Sequence, residues 1–154
     1  MNVQSKPSAA SAVDRALSVL AVLAQSSHAL RCSFEKGRSV PLHKGASAKC
    51  LMAHMSEAAL AKVMAASESP PEFQSPLFLQ ELQQIRQAGY ATSSGEVDPG
   101  VSGVSVPLFG VHKHAVAALT LMAPSQRAQD AMPQWIQMAV VSAARISRSL
   151  RTPH

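Results

Sequence analysis

Apolar residues recur along this chain in two periods, and the change of period divides it. Val13, Ala16, Leu17, Leu20 and Ala24 fall at helical spacing. Ser11 is a good N-cap ahead of them, and Asp14 stands three residues later, as in a capping box with Asp in place of Glu. A helix is predicted near residues 12–25, after a small, polar and disordered start over residues 1–10. Residues 41–53 read as an extended approach, a glycine turn at Gly45 and the start of a helix continuing over 47–55. Ser56 caps another helix over 57–66, with Ala59, Leu60 and Val63 inward. Residues 67–76 hold three prolines and form a loop. A third helix covers 77–88, with Phe78, Leu82 and Ile85 on one side and Gly89 as its C′ glycine.

Beyond Gly89 the period shortens to two. A strand starts over residues 90–92, and 93–100 form a polar turn rich in glycine and acid. Val104, Val106 and Leu108 alternate as a strand does, 110–114 form a hairpin turn, and 115–122 make a mostly apolar strand expected at the centre of the sheet. Helical spacing then returns. Pro133 suits a helix start, and Ile136, Ala139, Val140, Ala143 and Ile146 form the expected inner stripe. Arg145, Arg148 and Arg151 suit that helix's C-terminal dipole. The order of helix, helix, helix, hairpin strands and helix predicts an α+β fold, an antiparallel sheet with helices packed on it.

Composition narrows the class. A chain of 154 residues suits one domain with a sizeable core, and 47% apolar with 15% charged residues is globular. The net charge of +5 allows only weak attraction to nucleic acid. Cys32 and Cys50 are too few for a disulfide framework and match no zinc spacing. No apolar run is long enough to cross a membrane, and the run over 16–24 follows Asp14, which favours an amphipathic helix over a secretory leader.

Little here suits catalysis. No Gly-x-Ser-x-Gly, phosphate loop or dinucleotide fingerprint occurs, and His112-x-His114 sits in a turn without a nearby third ligand. No enzyme activity, metal or cofactor is predicted. The helix start at Gly45 and Ala46 is different, because its first amides lack intrahelical partners and can hold a carboxylate or phosphate. The alternative is a structural turn whose amides meet water or the protein's own side chains.

The same stretch resembles a known family. Pro41-Leu42-His43-x-Gly45-Ala46-x-x-Lys49, then Leu51-Met52-Ala53, is similar to the effector-domain signature of IclR-family bacterial transcriptional regulators. Leu82-x-x-Ile85-Arg86-x-x-Gly89-Tyr90-Ala91 resembles the next block, Glu96 and Gly100 before the strand Val101–Phe109 the third, and Ala117-Ala118-Leu119 the strand after it. Asp14-Arg15-Ala16-Leu17-Ser18-Val19-Leu20 resembles the first helix of the family's winged helix-turn-helix.

The resemblance implies a GAF-like sheet with a ligand pocket between sheet and helices. It divides the chain into a remnant DNA-domain helix within 1–30 and an effector-binding domain over 31–154, incomplete at its opening strands, of which residues 31–34 are a remainder. About ten residues separate the first helix from the signature, too few for a reading helix and its wing, so the chain is expected not to read DNA sequence. The implied partners are a small organic acid effector and further copies of the chain, in the cytoplasm and away from membranes. An oligomerisation module or a remnant without function is the alternative.

By the resemblance, the effector meets the amides of Gly45 and Ala46 and residues at Ser93, Gly103, Thr120 and Met122. Members that bind a small oxo acid carry an acid, a cysteine and two serines at the last four positions. Only Thr120 keeps a comparable hydroxyl and Ser93 a shorter one, so a more apolar ligand is expected. Ordinary sheet packing is the alternative role for these four.

Overall fold

The computed structural model describes residues 42–65, 71, 75–112 and 114–151. The helix expected near 12–25, the disordered start and the remainder of a strand at 31–34 lie outside the described residues. Within them the order is α1 (Ala46–Ala53), α2 (Glu57–Met64), α3 (Pro76–Ala88), β1 (Ala91–Ser94), β2 (Val101–Phe109), β3 (Ala115–Pro124) and α4 (Ser125–Arg151). The fold is α+β, with an antiparallel sheet in the order β1-β2-β3.

Strand alternation assigns the two faces of that sheet. Val104, Val106 and Leu108 point to α4 and pack with Ala139 and Ala143, supported by Met132, Trp135 and Ile136. Ala91 and Ala118 point the other way, into a cluster with Cys50, Met52, Phe78, Leu82 and Ile85 from α1 and α3. The result is three layers, with α1 and α3 on one face and α4 on the other. Because β2 is covered on both faces, Ser102 through Leu108 are all buried, polar members included.

Local chemistry explains the helix ends. The Ser56 hydroxyl accepts the Ala59 amide at 3.2 Å, and Pro76 opens α3 where its missing N–H costs nothing. Gly89 closes α3 at φ 76. Along α3 the buried residues are Phe78, Leu82 and Ile85, as the spacing predicts.

Four expectations need correction. Among the described strands β2 is central, and β3 flanks it. Ser93 and Ser94 belong to β1, paired with Gly103 and Ser102, rather than to a polar turn. Pro133 lies inside α4, which starts at Ser125; its ring removes a bond to the carbonyl of Gln129, a loss that solvent can cover at an exposed position. The inner stripe of α4 is Ala128, Ala139, Ala143 and Ser147, while Val140 and Ile146 are exposed. Ser147 is buried because its hydroxyl accepts the Phe109 amide at 3.0 Å, a polar contact that an apolar stripe does not reveal.

Candidate functional site: a cleft at the start of α1

The α1 helix is buried along its whole length, from Ala46 to Ala53. Its N-cap is Gly45, at φ 85 and ψ 154, a conformation that side-chain-bearing residues resist. A Cβ added there would lie 2.9 Å from Val97 Cγ2, so both backbone and space select glycine. The first intrahelical bond runs from the Lys49 amide to the Gly45 carbonyl at 3.2 Å. The amides ahead of it have no partner within the helix.

One of these amides has an internal partner. Gly45 N–H donates to Glu96 Oε2 at 2.9 Å. The other oxygen of Glu96 accepts Lys49 Nζ at 2.7 Å, and Lys49 also meets Glu81 Oε1 at 2.7 Å. The Lys49 side chain is only 6% exposed, against 42% for Glu81 and 32% for Glu96. Burial pulls the ammonium pKa down, but the hydrogen bonds and charges of Glu81 and Glu96 outweigh it and hold the pKa above its usual value. Lys49 therefore ties α1 to α3 and to the loop after β1.

The sheet supplies the cleft floor. Ser93, Gly103 and Met122 are in register across β1, β2 and β3, with Thr120 one step along on the same face. Thr120 Oγ1 is 2.6 Å from the hydroxyl of the fully buried Ser105. All six residues expected at the site, Gly45, Ala46, Ser93, Gly103, Thr120 and Met122, line one cleft. Ser47, Glu96, Val97, Asp98 and Val101 complete it. Its open space is about 20 Å³, room for about one water.

Sequence reasoning missed Lys49, Glu81 and Glu96 as members of this site. A usable signal was present: Lys49 is the single charge in an otherwise small and apolar helix, and a buried cation requires partners. A second groove of about 470 Å³ lies by the far end of β2, lined in part by His54, Arg86, Phe109, Val140 and Arg151. None of the six expected residues reaches it.

The chemistry suits binding rather than catalysis. The Cys50 thiol is buried and its pKa is pushed up to about 12, which holds it in the unreactive protonated form. The His54 Nδ1 lies 2.9 Å from the Cys50 carbonyl, so it carries the proton and donates it.

Comparison with known proteins identifies the family. The family described as Bacterial transcriptional regulator IclR C-terminal matches residues 11–148. The chain belongs to this family. The HTH-type transcriptional regulator BhcR of Paracoccus denitrificans is 28% identical over 127 residues, covering 79% of this chain and 46% of BhcR. The chain spans less than half the length of the curated relatives it matches. A transcriptional-regulator C-terminal domain from Vibrio cholerae superposes with a TM-score of 0.68 at 32% identity, covering 94% of this chain and 99% of that one. The PobR inducer-binding domain from Acinetobacter, a double mutant solved with 3-hydroxybenzoic acid, has the same fold, with a TM-score of 0.63 at 21% identity over 83% of this chain and 75% of that one. The matched residues thus form an IclR-type effector-binding domain, of a family of transcriptional regulators rather than enzymes. Among its described residues no helix is long and apolar enough to cross a membrane.

Proposed function

We propose that this IclR-type domain senses a small organic acid, whose carboxylate meets the amides of Gly45 and Ala46 and whose body lies over Ser93, Gly103, Thr120 and Met122. One observation carries the reading: a carboxylate, that of Glu96, already accepts the Gly45 amide at 2.9 Å. The helix start therefore has the geometry and polarity for such a group, as the macrodipole and open amides favour. The effector's carboxylate takes the place of Glu96, an exchange of like for like in charge. The aromatic acid held by the PobR domain is of this class. Binding is passed on through a homo-oligomer of an effector-binding domain spanning 31–154, in the cytoplasm, and sequence-specific DNA contact is not assigned to this chain.

The test is thermal unfolding with benzoate and pyruvate, each against its uncharged amide. A ligand bound only to the native state adds about 2.7 kcal/mol at a hundred-fold excess over Kd. The acids are expected to raise the melting temperature of the wild type, and the amides are not. Equal stabilisation by acid and amide, or none by either acid, overturns the reading.

A further inference from the structure

We infer that Met122 is the specificity-determining residue of this cleft: its side chain fills the space left by Gly103, and the ligand's apolar body must replace it there. This rests on the reading of the cleft as the effector site.

Gly103 and Met122 face each other as Cα partners, with Ser93 opposite Gly103 on its other side. A Cβ added at Gly103 would lie 3.2 Å from Met122 Cγ, 3.3 Å from the Leu121 carbonyl oxygen and 3.8 Å from Ser93 Oγ. Unlike Gly45, Gly103 has no left-handed backbone to accommodate, so its value here is the room it leaves. Met122 takes that room, and about 20 Å³ of the cleft stays open. Benzoate cannot enter so small a space beside a fixed side chain. Methionine is unbranched, with three rotatable bonds, and is the apolar residue best able to swing aside and return.

The same contacts set the ligand's class. Thr120, the hydroxyl next along this face, is 2.6 Å from Ser105 Oγ. Besides the Gly45 amide and the Ser93 hydroxyl, the floor beside Gly103 thus offers a thioether and methylenes. A hydroxyl or keto oxygen placed over Met122 would lose its water and find few donors in return, whereas a flat apolar body has less to lose. The cleft accordingly favours a carboxylate on an apolar frame, such as an aromatic acid, over a small oxo acid.

The test uses the wild type, Met122→Ala, Met122→Leu and, as a control, Met138→Ala, whose residue is 51% exposed on α4. Met122→Val, suited to a strand, replaces Met122→Ala if the latter does not fold. Xenon occupancy tests the filled space without any acid, because dry apolar cavities take up xenon. Met122→Ala is expected to gain a xenon site beside Gly103 that the wild type, Met122→Leu and Met138→Ala lack. Its half-saturating benzoate concentration, read by thermal unfolding, is expected to fall about ten-fold or more because no side chain has to leave. In the wild type benzoate is expected to bind at least about ten-fold more tightly than pyruvate. A folded Met122→Ala with no xenon site and unchanged benzoate affinity overturns the role of Met122, as does a wild type that binds pyruvate as tightly as benzoate. A xenon site gained in Met122→Ala while neither acid stabilises any variant supports the filled space and instead overturns the acid-sensing reading.

Discussion

The carboxylate of Glu96 sits on the amide of Gly45, 51 positions earlier in the chain, at 2.9 Å. The protein's own acid thus occupies the position where an effector acid is proposed to bind. Competition between them has a measurable consequence. Glu96→Gln keeps an oxygen acceptor for the Gly45 amide and removes the charge. Benzoate affinity by calorimetry is expected to rise several-fold, with a stability loss of about 1 kcal/mol from the weakened contacts to Lys49. Unchanged or weaker benzoate binding would show that no exchange takes place.

Gly45 is constrained twice, and the two constraints can be separated. A side chain at φ 85 costs about 1–2 kcal/mol, and its Cβ would also press on Val97 Cγ2 at 2.9 Å. Gly45→Val is expected to abolish any rise in melting temperature with benzoate while circular dichroism shows the sheet retained. Gly45→Ala with Val97→Ala should recover the steric share of the stability loss but not the backbone share. Full recovery in the double variant would mean that space alone selects glycine.

Lys49 holds Glu81 and Glu96 from a buried position. Lys49→Met removes the cation and leaves two carboxylates facing an apolar helix. The usual cost of an unpaired buried charge is about 3–5 kcal/mol, but both carboxylates are partly exposed and can hydrate, so about 1–3 kcal/mol is expected from urea midpoints. The pH dependence follows from the raised pKa. The stabilisation by Lys49 is fully present below its ordinary value of 10.5 and is lost as pH rises through the folded value. The wild type should therefore lose more stability than Lys49→Met above about pH 10, and parallel profiles there would count against the ion pairs.

His54 acts at the other end of the scale. Burial lowers its pKa below 6.5, the Cys50 carbonyl partly opposes this by raising it, and the Arg86 charge lowers it further. The unfolded chain then binds more protons than the native state between the folded pKa and 6.5, so stability rises with pH across that window. Above it the group costs nothing, and below the folded pKa the penalty is constant. Urea midpoints measured from about pH 7 down to pH 5 should fall more steeply for the wild type than for His54→Gln. Identical slopes would exclude His54 as a source of acid sensitivity.

Much of this protein is already determined by local pattern. The stripe of Phe78, Leu82 and Ile85, the alternation of Val104, Val106 and Leu108, and the turn at Gly45 each depend on a few neighbouring residues, and period alone tells which side is apolar. Gly45, Ala46, Ser93, Gly103, Thr120 and Met122 were named through the family resemblance, and they line one cleft. Tertiary structure decided the rest. Lys49 finds Glu81 and Glu96 across 32 and 47 positions, and no local period encodes which charges a buried ammonium will meet. Pro133 looked like a helix start because its fixed φ suits one, yet α4 runs through it, held to the sheet by packing on both sides of the proline. Gly103 and Met122 lie 19 positions apart by their numbering, and only the register of β2 on β3 sets the large side chain over the empty position. Local sequence specifies faces and turns because these depend on neighbours in the chain; partners across a cleft depend on how the layers pack, since burial and pairing are properties of the assembled fold.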